Sequence, residues 1–78
     1  MKKHVKNYLK HHNLTIADVI MCEYCNKEVA VDIHHLVYRS HGGSDEADNL
    51  IALGRTSHFN HHNKNNPTSE QLKELNHG

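Results

Sequence analysis

"VDIHHLVYRSHGGSDEADNLIALGRTSHFNHH", residues 31–62, holds six of the ten histidines of this 78-residue chain. Two are adjacent, His34 and His35, and two lie four apart, His58 and His62. Around the first pair, EVAVDIHHL alternates, with Val29, Val31 and Ile33 on one face and Ala30, Asp32 and His34 on the other, the pattern of a strand. SHGGSDEADN reads as a loop, with Gly42 and Gly43 supplying backbone freedom and Asp45 a turn. NLIALG forms a second short strand closed by Gly54, and a helix follows from Thr56 to about Asn65 with Thr56 or Ser57 as N-cap. Helix residues four apart share a face, with Cβ atoms about 5–6 Å apart, so His58 and His62 can offer two imidazoles to one ion. Adjacent strand residues point to opposite faces, so only one of His34 and His35 can join them. The other is free for a different task nearby. Three histidines from two elements, with one coordination position left open, describe a catalytic metal site rather than a closed structural one.

Outward from this segment the elements become shorter. CEYCNK reads as a knuckle, in which Cys22 and Cys25 bracket a tight turn and Asn26 takes left-handed backbone geometry. Upstream, Val5, Tyr8, Leu9 and His12 recur at helical spacing from Lys3, and Asn13 stops that helix. Thr15 and Asp18 have the form of a capping box opening a short second helix through about Met21, although Ile16, Val19 and Ile20 would also suit a strand. Downstream, Asn65, Asn66 and Pro67 end the histidine-bearing helix, and Thr68 or Ser69 caps a last helix carrying Leu72 and Leu75.

A chain of this length makes one domain, 1–78, divided into a basic helical extension (1–21), a core (22–65) and a C-terminal helix (66–78). Its apolar supply is thin, at 36% hydrophobic residues and no tryptophan, and so small a fold usually needs a metal, a disulfide or a partner. The formal net charge is zero, which excludes a global basic signature. Locally, Lys2, Lys3, Lys6 and Lys10 with His4, His11 and His12 make a basic end, either a phosphate contact or a solvated helix face. No secretory leader is recognisable and nothing approaches the roughly 18 apolar residues of a membrane span. The expectation is a cytoplasmic protein with reduced thiols and no membrane partner.

These residues resemble the HNH endonuclease family, whose fold is a two-stranded hairpin and a helix around one metal ion. The matching elements are His34-His35-Leu36, the Gly42-Gly43-Ser44-Asp45 loop, Asn49-Leu50-Ile51-Ala52-Leu53, and His58. His35 to Asn49 is 14 residues and Asn49 to His58 is nine, both typical of that family. The resemblance implies an α+β fold with a small ββα-metal (His-Me finger) core: an antiparallel hairpin plus metal-binding helix, flanked by N- and C-terminal helices. It implies that His34 is the first metal ligand, a position held by Asp in many members and by His in the colicin-type nucleases. His58 and His62 become the other ligands and His35 the general base. Asn49 becomes the residue that fixes the loop over the base through hydrogen bonds to backbone.

The implied activity is metal-dependent hydrolysis of DNA phosphodiester bonds, by nicking or by double-strand cleavage. Imidazole is suited to deprotonating water near neutral pH, and a divalent ion neutralises charge on the leaving oxygen. The products would carry 5′-phosphate and 3′-hydroxyl ends. The cofactor would be one divalent ion, zinc, nickel, manganese, cobalt or magnesium, with magnesium the least natural for an all-histidine site. Arg55, at the start of the metal helix, and Arg39 are candidates for phosphate contact, Arg55 the stronger. His41 and His61 fall outside the matched positions and are taken as facing solvent or substrate. A monomer would nick one strand, and a homodimer could cut both. Small free-standing chains of this type are common in phages, which would place the protein in the cytoplasm of a bacterial host cell.

The pattern departs from the family at one place. Many members hold a structural zinc with two C-x-x-C pairs, and the second pair would fall at LGRTSH, where Gly54 and Ser57 stand. Two thiolates cannot close a tetrahedral zinc site. The expectation is a thiol pair, Cys22 and Cys25, left without metal. The alternatives are a zinc completed by His61 or His11, or one shared between two chains. Two other functions compete with the nuclease. A catalytically inactive, metal-stabilised nucleic-acid-binding module would not need a non-ligand histidine at position 35. A histidine-rich metal-storage protein would not need the Asn49 spacing.

Overall fold

The computed structural model describes residues 1–75. At its centre lies an antiparallel hairpin of β1 (Ala30–His35) and β2 (Leu50–Gly54). Around it stand α1 (Lys3–His11), α2 (Arg55–Lys64) and α3 (Ser69–Leu75). This is the expected α+β arrangement, with α2 running directly out of β2.

All five residues of β2 are buried, because each of its faces meets a different layer. Leu50 and Ala52 pack with Ile33 of β1 and Tyr8 of α1, with Val5, Leu14, Ile20 and Ala30 around them. Ile51 and Leu53 face the opposite way, toward Cys22, Leu36 and Leu72 of α3. The outer edge of β2 is closed by a side chain. Glu23 donates its N–H to the Ala52 carbonyl (2.8 Å), and its carboxylate accepts from Ala52 N (2.7 Å) and from the Tyr8 hydroxyl (2.8 Å). A single glutamate thus blunts a strand edge that would otherwise present unpaired backbone groups.

Four local expectations are corrected. The segment 15–21 does not form a helix. Half of the capping box is present, since the Asp18 carboxylate accepts from Thr15 N (2.7 Å), but the chain turns once and straightens. Ile16 and Val19 are 80% and 73% exposed, so a helix there would have no apolar face to bury, and a first turn alone is an unfavourable nucleus. Instead Ala30 N bonds the Ile20 carbonyl (2.7 Å) and Met21 bridges Val29. The alternation expected across Val29, Val31 and Ile33 also fails. The ladder skips Val31 between the pairs Ala30↔Gly54 and Asp32↔Leu53, a bulge that leaves Val29 and Val31 exposed and brings Ala30 and Ile33 onto the α1 face.

The third correction concerns the start of α2. Neither Thr56 nor Ser57 is its N-cap; Gly54 holds that position without a side-chain cap. The Glu28 carboxylate reaches across to accept from Thr56 N (2.8 Å) and Ser57 N (3.4 Å). The fourth concerns His61, which is buried rather than facing solvent or substrate. Other expectations stand. Asn13, Asn26 and Asn65 all take positive φ, two ending helices and one turning the knuckle, and Thr68 caps α3 in a reciprocal pair with Gln71 (2.8 and 3.2 Å).

Candidate metal centre

The hairpin register assigns the two adjacent histidines to different faces. His34 pairs with Ile51 and points toward α2, whereas His35 pairs with Leu50 and points toward α1. On the α2 side His34 meets His58 and His62, one turn apart, with ring centroids 5.5 and 5.3 Å from its own. One nitrogen from each of the three lies within 4.8 Å of the other two. The Nε2 atoms of His58 and His62 are 3.0 Å apart, at hydrogen-bond distance and close enough to serve one ion.

His34 supplies the strongest test of whether an ion fits. The residue is 5% exposed, and its Nε2 is buried without a hydrogen-bond partner among the described residues. A buried, unpaired ring nitrogen is costly, and a cation held by three imidazoles would satisfy it. Burial first, then the neighbouring His61, His58 and His62, push the His34 imidazole down to about pKa 3. Burial and His58 likewise hold His62 below the usual histidine range. His34 and His62 therefore stand neutral near pH 7, the ligating form. The donor set suits a borderline transition metal.

Two residues around this centre escaped the sequence reading. Asp32 lies two positions before His34 on the same face, and its Oδ2 is 3.4 Å from His58 Nε2. Its signal was the strand alternation itself, which placed Asp32 beside His34. Tyr38 stands edge-on to the His34 ring at 5.7 Å. Its hydroxyl is 2.9 Å from His61 Nε2, and His61 Nδ1 is 2.7 Å from the Pro67 carbonyl. A carbonyl only accepts, so His61 Nδ1 carries the proton, Nε2 accepts, and the Tyr38 hydroxyl donates. The buried His61 thus fixes a wall of the site instead of binding an ion. No pattern in the sequence separated it from its neighbours.

His35 occupies a different environment. Its Nε2 is 2.8 Å from Asp45 Oδ1 and its ring is 4.6 Å from that of His4. The carboxylate accepts a hydrogen bond from Nε2–H, which leaves Nδ1 with the lone pair. The hydrogen bond from His35, with help from Arg39, holds the Asp45 carboxyl below the usual range. Although they face opposite ways, His34 and His35 line one open groove of about 280 Å³ with Asp32, Tyr38, Arg39 and His62.

Asn49 staples the loop between the strands. Its Oδ1 accepts from Val37 N (2.8 Å), and its Nδ2 donates to the carbonyls of Val37 (3.0 Å) and Ser44 (2.9 Å). Gly43 fits beneath that staple because a Cβ there would fall 1.7 Å from the Val37 oxygen. Arg39 lines the groove with an exposed side chain, 3.7 Å from Asp45 Oδ1. Arg55 is exposed at the start of α2 and outside the groove's lining.

Among the described residues, Cys22 and Cys25 gather one further candidate ligand, Glu28. Cys22 is fully buried and its thiol donates to Ser57 Oγ (3.4 Å), while Cys25 is half-buried. Burial opposes ionisation of Cys22, but hydrogen bonds from the backbone of Cys25, Gly54 and Tyr24 and from Ser57 outweigh it and bring the thiol down to about 7. A Cβ on Gly54 would lie 2.3 Å from Glu28 Oε1, so the carboxylate fills the space a cysteine there would need, and it is already engaged in capping α2.

A family model described as HNH endonuclease matches residues 22–66, more than half of the 78-residue chain. No curated protein and no solved structure matches it.

Proposed function

This chain belongs to the HNH endonuclease family, and on that premise we propose that it hydrolyses DNA phosphodiester bonds. His34, His58 and His62 hold one divalent ion and His35 is the general base. The observation that carries this reading is the unpartnered Nε2 of His34, buried within ligand distance of two further imidazoles.

A phosphate seated in the groove lies between the two histidine faces. The Asp45 hydrogen bond holds His35 in one tautomer, so its Nδ1 is free to take a proton from the attacking water. Asn49 holds the loop that carries Asp45, and with it the orientation of the base. Arg39 lines the same groove and offers a guanidinium to the phosphate. The bound ion would act as a Lewis acid on the developing oxyanion. Of the ions compatible with the family, three imidazoles favour zinc, cobalt, nickel or manganese over magnesium.

Plasmid cleavage across a divalent-metal panel tests the reading. Wild type should convert supercoiled DNA to nicked or linear products with at least one ion, ending in 5′-phosphate and 3′-hydroxyl. His35→Ala should lose about 10²–10⁴-fold in rate while still binding the ion. Intact plasmid with every metal would sink the enzyme reading, and undiminished cleavage by His35→Ala would sink the mechanism.

A further inference from the structure

We propose that His4, His35 and Asp45 form a second transition-metal site, separate from the cluster on α2, and that filling it inhibits the enzyme. Its three donors come from the first turn of α1, the end of β1 and the interstrand loop. One ligand atom from each lies within 4.8 Å of the others. The rings of His4 and His35 stand 4.6 Å apart at 46°. His35 Nε2 and Asp45 Oδ1, 2.8 Å apart, have the spacing of two ligands on one ion with bonds of about 2.0–2.2 Å.

The site is built, not incidental. Asn7, one turn after His4 on α1, donates its Nδ2 to the Asp45 carbonyl (2.8 Å), so the helix that delivers one ligand also fixes the backbone of another. Two imidazoles and one carboxylate favour zinc, cobalt or nickel over magnesium. Arg39, 3.7 Å from Asp45 Oδ1, competes for the carboxylate, but its side chain is 70% exposed and free to swing away. His4 lies outside the segment that matches the family, residues 22–66, so the match to the family does not itself include this site.

Its consequence for activity follows from the tautomer and rests on His35 being the base. For Nε2 to ligate, its proton must move to Nδ1. The imidazole then has no free lone pair with which to deprotonate water. Metal at the α2 cluster would support the reaction, and the same metal in excess would stop it.

Cobalt titration of the metal-free full chain, followed by d–d absorption, tests the site without requiring activity. Wild type should bind two equivalents. His4→Ala and Asp45→Asn should each weaken one of them by at least about tenfold and leave the other intact, while His34→Ala should remove that other one. A sulfur-to-cobalt charge-transfer band would mark any ion held by the cysteines and exclude it from the count. A single equivalent in wild type that His34→Ala removes, or a second that survives both His4→Ala and Asp45→Asn, overturns the site. If His34→Ala leaves both equivalents in place, the catalytic reading fails and this one stands. Excess zinc should inhibit wild-type nicking at concentrations at least about tenfold below those that inhibit His4→Ala; equal sensitivity overturns the inhibitory role.

Discussion

Single residues set the shape of the loop between the catalytic candidates, and two adjacent glycines do so for different reasons. Gly42 has φ +83° with none of the described residues near its missing Cβ, whereas Gly43 lies against the Val37 carbonyl. Gly42→Ala should therefore cost only the left-handed backbone penalty, about 1–2 kcal/mol. Gly43→Ala must push the loop away from Val37 and strain the Asn49 staple, so it should cost more and also lower cleavage by moving Asp45 off His35. Urea unfolding and plasmid nicking on both variants check the order. Equal losses would mean that the close approach is unimportant. The sequence marked both glycines as loop residues and could not separate them, because a contact with a carbonyl six positions earlier leaves no local signal. It also separated His34 from His35 by strand geometry alone, yet left Asp45 as a turn residue, since its pairing with His35 spans ten positions of irregular chain.

At the scale of elements, long-range side chains decided what short-range propensity could not. The helix expected at 15–21 had a capping signature but no buried face, and packing overrode it. Thr56 and Ser57 are local capping residues at the start of α2, yet Glu28 supplies the acceptor from 28 positions away. That carboxylate joins the knuckle to α2, and its negative charge also suits a helix N-terminus. Glu28→Ala should cost about 0.5–2 kcal/mol, the range for loss of a helix cap, read as a lower urea midpoint. Cys25→Ser should leave the zinc-induced rise in Tm unchanged. A rise that disappears in Cys25→Ser would show that the thiols hold metal after all. The strong periodic elements, α1, β2 and α2, were legible in the sequence, because their apolar or histidine spacing reports a real face. The bulge at Val31 was not, since it changes which side a residue faces without changing the composition.

For the whole molecule the question is how 78 residues with two small clusters on either side of one hairpin stay folded. Domains of this length hold about 4–12 kcal/mol of stability at ordinary per-residue values, so one buried group that must stay neutral is a large share. His34 is that group. Its imidazole titrates near 3 in the folded protein against 6.5 when unexposed to these neighbours. Between those values the unfolded chain binds a proton that the folded chain refuses. Folding is therefore favoured fully above about pH 6.5 and loses up to about 4–5 kcal/mol as pH falls toward 3, at 1.36 kcal/mol per pH unit. A bound ion acts in the same direction, since it ligates only the folded, unprotonated cluster, and at 100 times its Kd it adds about 2.7 kcal/mol. Chelated protein should thus melt lower at about pH 5.5 than at about pH 7.5, and zinc should raise Tm strongly at the higher pH and weakly at the lower. His34→Phe, which keeps a ring in the core but neither titrates nor ligates, should flatten both dependences. A melting temperature that stays constant across this range in chelated wild type would mean that His34 is not held neutral by its burial. The metal-binding case for the α2 cluster would then rest on the convergence of its three ring nitrogens alone.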